Sequence, residues 1–122
     1  MNLREIDRLV AEKVMGYSRI TPNGNVSKVG YYEFKDGRYK YVRRINSFQP
    51  TWSIKDAWQV VEKMKRSNFS ARHRFVTELQ KEVTPKELKD KNQLLDLGWM
   101  IFYLTPKSIC LAALKAAGVN IE

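Results

Sequence analysis

The chain has 122 residues, 43% of them apolar, and carries 22 Lys plus Arg against 13 Asp plus Glu, a net charge of +9. That length supports one core and one domain spanning residues 1–122, because two halves would each be too small to bury enough surface. A single cysteine, Cys110, and a single histidine, His73, 37 positions apart, exclude an internal disulfide and any cysteine-rich or His/Cys metal site.

The positive charge is regional. Residues Lys28 to Arg74 hold 12 basic and 4 acidic side chains, which leaves 10 against 9 for the rest of the chain. Such a surplus favours an anionic partner: a nucleotide-like small molecule, nucleic acid or an acidic protein. The plainer reading is a solvated surface that keeps the protein soluble. The N-terminal Met1 to Arg8 is charged where a signal peptide needs an apolar run, and no stretch approaches the ~20 apolar residues of a membrane span. A cytoplasmic protein with no membrane partner is expected.

In chain order, Asn2 with Glu5 three residues later is a helix start, and Leu3, Ile6, Val10 and Val14 share a side until Gly16 stops it. Thr21-Pro22-Asn23-Gly24-Asn25 is a turn-forming group in an exposed loop. Val29 to Lys35 and Arg38 to Ile45 flank Asp36-Gly37, a pair suited to a type I′ hairpin turn. That turn pairs Phe34 with Tyr39, Glu33 with Lys40 and Tyr32 with Tyr41. Alternation then puts Tyr32, Phe34, Tyr39 and Tyr41 on one face, the natural core surface, and the charged residues with Tyr31 on the other.

Ser53 and Asp56 form a second capping box, ahead of a helix over residues 54–66 that carries Ala57, Val60, Val61 and Met64, with Trp58 widening its apolar face. Phe69, Ala71, His73 and Phe75 alternate with polar residues, the pattern of a strand, though a helix through Glu82 also fits. Pro85 to Asn92 is polar, an exposed turn or short helix. Trp99 to Leu104 is apolar on both alternating sides, which predicts a strand covered on both faces. Thr105-Pro106 opens and Gly118 closes a last helix, in which only Lys107, Ser108 and Lys115 are polar. So apolar a helix must be covered by a sheet, another helix or a second copy of the chain. The expected fold is α+β: a single-domain α/β/α sandwich around a mostly antiparallel four-stranded sheet.

Three segments carry a resemblance. Glu5 to Gly16 (EIDRLVAEKVMG), Asp56 to Met64 (DAWQVVEKM) and Ile109 to Val119 (ICLAALKAAGV), in that order along nearly the whole chain, resemble the phage ABA-sandwich domain. These are small proteins of phages and prophages, chiefly of Bacillus-type bacteria. The resemblance implies a three-layer α/β/α arrangement and, for a phage protein, the host bacterial cytoplasm. It brings no activity, catalytic motif or cofactor. The polar Pro85–Asn92 segment and the basic run Arg72-His73-Arg74 depart from the family pattern.

No catalytic constellation accompanies it. His73 falls on the Phe69/Phe75 side of its segment, where a hydrogen-bonded core histidine is favoured over a base, and Cys110 sits in the apolar helix, where a buried thiol is favoured over a nucleophile. No Gly-x-x-x-x-Gly-Lys phosphate loop occurs. The expectation is a protein that is not an enzyme and needs no cofactor or metal. Arg43, Arg44, Trp52, Arg72, His73 and Arg74 are the candidate ligand contacts, since guanidinium groups grip phosphate and Trp stacks on bases. Three classes follow: binding of an anionic ligand, with sequestration of a nucleotide-type host defence signal as one anti-defence version; binding of DNA or RNA; and an adaptor for a host protein. A homo-oligomer built through the last helix and the Trp99 segment is expected.

Overall fold

The computed structural model describes residues 1–20 and 30–121; the turn expected at 21–25 and the strand start at 29 lie outside the described residues. Asn2 caps α1 (Leu3–Leu9), its side chain accepting the Glu5 N–H at 2.9 Å. The helix runs on as a π turn over Val10–Val14, where the Met15 N–H reaches the Val10 carbonyl at 2.9 Å, and Gly16 stops it at φ +75°. Ile6, Val10 and Val14 are buried as their spacing predicts, while Leu3 stays in solvent. Ser53 caps α2 (Ile54–Lys65) by accepting the Asp56 N–H at 3.2 Å. The expected capping box is only half built, because the Asp56 carboxylate turns away to other partners.

The last helix, α5 (Pro106–Ala116), has a complete reciprocal cap: Thr105 Oγ1 accepts the Ser108 N–H at 3.0 Å, and the Thr105 N–H donates to Ser108 Oγ at 2.9 Å. Its apolar sides meet α1, α2 and a long α3 (Phe69–Val83). The cover it requires is therefore helical and comes from the same chain. Ile109, Cys110, Ala112, Ala113 and Leu114 have almost no solvent contact. Burying Ile109 and Leu114 contributes about 1.5–3 kcal/mol each.

β1 (Ser18–Ile20), β2 (Gly30–Lys35) and β3 (Arg38–Arg43) form an antiparallel sheet in the order β1-β2-β3. The hairpin register is the expected one, Phe34 opposite Tyr39, Glu33 opposite Lys40 and Tyr32 opposite Tyr41, across a turn with positive φ at Asp36 and Gly37. Burial follows the expected face only at Tyr32, which is buried. Tyr31 is in the core, within 6.4 Å of the Phe48 ring and 5.8 Å of the Tyr17 ring, whereas Phe34 (61% exposed), Tyr39 and Tyr41 face solvent. Between the pairs Tyr32–Tyr41 and Tyr31–Arg43 the strand carries one extra residue, Val42. This bulge swings Arg43 onto the Tyr31 side, toward the helices.

Two expected strands are helical. Residues 69–83 form α3, capped by Asn68, whose side chain accepts the Ala71 N–H at 2.8 Å, with Phe75, Leu79 and Val83 buried at four-residue spacing. Trp99 to Leu104 is not a covered strand: Leu97–Phe102 make a 3-10 helix with Met100 buried and Trp99, Ile101 and Phe102 exposed. The sheet thus has three strands among the described residues, not four. Residues Lys86–Lys89 form a short α4. Among the described residues no helix is long and apolar enough to cross a membrane.

Candidate functional site

Arg43 is engaged within the fold. Its Nη1 lies 3.0 Å from Asp56 Oδ1, its Nε donates to Ser47 Oγ at 3.1 Å, its Nη2 bonds the Ser47 carbonyl, and its guanidinium covers the Phe48 ring at 5.3 Å. Asp56 is buried and also accepts the Gln49 N–H at 2.9 Å. This network fixes the start of α2 against the end of β3. Arg44 is exposed just past the strand, and Trp52, 78% exposed, stands in the turn before α2. Neither lines the cavity beside Arg43, whose walls include Ser47, Ser53, Lys55 and Asp56.

Arg72, His73 and Arg74 are exposed on α3. On a helix Arg72 and Arg74 are about 200° apart, so they do not share the side that a strand would give them. His73 is not a core histidine: it stacks in solvent on Phe69, with ring centroids 6.3 Å apart and planes 13° from parallel. The Arg72–Arg74 run does not reach the cavity that Arg43 lines.

The structure assembles a different group. A cleft of about 720 Å³ lies between α2, the end of the α1 helix and the inner side of β2, within the range of small-molecule sites. Met15, Tyr17, Ile54 and Trp58 supply its apolar surface. Trp58, four residues after Ile54 on the edge of the buried stripe, is 52% exposed and presents ring area to the opening. Along α2, Lys55, Gln59, Glu62, Lys63 and Arg66 recur at three- and four-residue spacing and form the polar wall, with Glu33 of β2 opposite. None of Lys55, Lys63, Arg66, Glu33 and Glu62 is in an ion pair among the described residues. Burial, and after it the nearby Glu33, pushes the Tyr17 hydroxyl above its ordinary value of 10.0, so it stays a neutral donor at physiological pH.

The sequence alone placed Trp58 on a widened apolar face of this helix. The signal for the cleft was the i, i+4, i+8 row Lys55-Gln59-Lys63 beside Ile54 and Trp58. Among the described residues no cluster of three His, Cys, Asp or Glu side chains could hold a metal.

The three-stranded sheet packed against helices agrees with the result of a family comparison, in which the sequence model of the phage ABA sandwich domain matches residues 8–114. The chain belongs to the phage ABA sandwich domain family. The matched span runs from α1 into α5 and so takes in the hairpin, α2 and every wall of the cleft. No curated protein and no solved structure matched the chain.

Proposed function

We propose that this phage ABA sandwich protein is a non-catalytic binding protein that takes an organic anion with a flat ring, of nucleotide type, in the α2 cleft. The observation that carries this reading is that Trp58 and Tyr17 line one cleft with three cations, Lys55, Lys63 and Arg66, which have no ion-pair partner among the described residues. Aromatic faces hold a ring by stacking, at about 1–3 kcal/mol per base. Ammonium groups and a guanidinium fork take phosphate oxygens. Glu33 and Glu62 are acceptors for sugar hydroxyls or an exocyclic amine, and they select against ligands that are anionic throughout. For a phage protein, such a site suits sequestration of a nucleotide-type host defence signal, which requires tight binding and no turnover.

The test uses Trp58 as reporter in a Trp52→Phe/Trp99→Phe background, titrated with AMP, ADP and cyclic di-AMP. The expected result is quenching with a dissociation constant below about 100 μM for at least one of them, weakened at least tenfold by Lys63→Glu/Arg66→Glu. Flat titrations to millimolar concentration with all three would overturn the nucleotide reading.

A second reading has its own observation. The hairpin exposes Phe34, Tyr39 and Tyr41 on one face and Lys35, Arg38 and Lys40 on the other, so a single strand of nucleic acid wrapped around its tip would meet both stacking rings and cations. Binding of an oligonucleotide there would fall steeply with salt and be lost in Tyr39→Ala/Tyr41→Ala, leaving the cleft titration unchanged.

A further inference from the structure

A 3-10 helix of six residues repeats every three positions, which makes its three rows easy to assign. Met100, in the row of Leu97 and Tyr103, is buried, and the helix packs on α3. The other two rows point away from the core. They hold Trp99 (58% exposed) over Phe102 (73% exposed), with ring centroids 5.6 Å apart, and Ile101 (70% exposed) one turn from Gly98. Exposed Leu94 and Tyr103 border this ridge, and beside it lies a shallow hollow of about 540 Å³ walled by Leu88, Leu94, Trp99 and Tyr103 together with the polar Gln93 and Asp96. Large aromatics carry about 150–250 Å² each, so the patch offers on the order of 700 Å², close to the ~800 Å² each partner buries in a stable complex.

We propose that this ridge is the interface of a two-fold dimer with a second copy of the chain. Shape is the first argument. A projecting Ile101/Phe102 knob and a hollow with Leu88, Leu94 and Trp99 among its walls lie on the same patch, so two copies related by a two-fold axis insert each knob into the other's hollow. Charge is the second. Residues 75–122 carry 6 basic and 6 acidic side chains, against 12 and 4 between Lys28 and Arg74. Two copies meeting through the balanced half face no net repulsion from it, while an acidic partner would find its attraction elsewhere on the molecule. The dimer leaves the α2 cleft outside the interface, since no cleft residue belongs to the ridge.

Sedimentation equilibrium and light scattering on the full chain test this at about 1–100 μM. The wild type is expected at twice the 14.3 kDa chain mass. Phe102→Asp removes the knob and is expected to weaken self-association at least a hundredfold. Gly98→Arg is the companion variant: a Cβ at Gly98 meets nothing within 4 Å, so the monomer accommodates the side chain while a partner does not. A monomeric variant with a native circular dichroism spectrum supports the interface, and Gly98→Arg carries the test if Phe102→Asp does not fold. A wild type monomeric at 100 μM overturns the proposal and leaves the ridge to a partner of another kind. A dimer that persists in Gly98→Arg overturns it equally, placing the interface elsewhere.

Discussion

Replacing Asp56 by Asn removes the charge at the centre of the contact between β3 and α2. The carboxylate side chain is 6% exposed, lies 3.0 Å from Arg43, and receives the Gln49 N–H at 2.9 Å. Removing one member of a fully buried pair costs about 3–5 kcal/mol, because its partner is left charged and unmatched. Arg43 retains 24% of its side-chain exposure and keeps its two bonds to Ser47. It can recover water, which lowers the expected cost to about 2–3 kcal/mol. For a chain of this size each kcal/mol moves the melting temperature by about 3–5 °C, so a fall of about 6–15 °C is expected. Urea denaturation followed by circular dichroism gives the free energy directly, and Arg43→Met with the double variant completes a cycle whose coupling should exceed about 1 kcal/mol. Asp56→Asn within about 0.5 kcal/mol of wild type, or strict additivity in the double variant, would refute the assignment of this pair as the clamp on α2.

Gly30→Ala would place a Cβ 2.7 Å from Tyr41 Cε2 and 2.9 Å from the Arg43 carbonyl oxygen; the ring can swing but the backbone cannot, and a loss of about 1–3 kcal/mol in urea is expected, with a neutral variant disproving the close approach. Burial, and then Asp7, pushes the Cys110 thiol well above its ordinary value. Ellman's reagent at pH 8 should therefore label the native protein at least about a hundredfold more slowly than the protein in guanidinium, and prompt native labelling would show that α5 is not sealed. Burial raises the Asp7 carboxyl above 3.8, opposed by its bond from the Thr51 N–H at 2.9 Å. Its folded form holds the proton more tightly than its unfolded form, so the group lowers stability as pH rises through the folded value. Asp7→Asn, which keeps an acceptor for Thr51, should be at least as stable as wild type at pH 7. That advantage should vanish below about pH 3.8, and an Asn variant that is weaker at pH 7 would reverse the sign.

Elements that carry both a cap and a sustained period were legible. Asn2, Ser53 and Thr105 each open the helix their chemistry announces, and Asp36-Gly37 sets the hairpin register. The failures come from short windows. Phe69, Ala71, His73 and Phe75 fit a two-residue period for seven positions, but Ala71, Phe75, Leu79 and Val83 fit a four-residue period for thirteen, and the Asn68 cap decides between them. Trp99 to Leu104 is apolar without periodicity, and apolar content reports a demand for burial without specifying strand or helix. The aromatic hairpin face was assigned inward on ring count. Three rings stand outside because the single Tyr31 meets both Tyr17 and Phe48, residues brought from either side of the hairpin in the chain. Arg43 was recognised as a cation in an important place, but its acidic partner thirteen residues later lies beyond any local pattern. The α2 cleft draws its floor from three segments, and only its helical row could be read in one dimension.

The position of α5 in chain order has a consequence for synthesis. Helices α1, α2 and α3 all leave the ribosome before the spindle they pack on. Until residue 116 has emerged, α1, α2 and α3 lack the helix that each of them packs on, and the nascent chain displays the apolar faces they turn toward it to chaperones and proteases. Docking of α5 is then the event that closes the core, and a variant that slows it should accumulate as a protease-sensitive collapsed chain without altering any earlier helix.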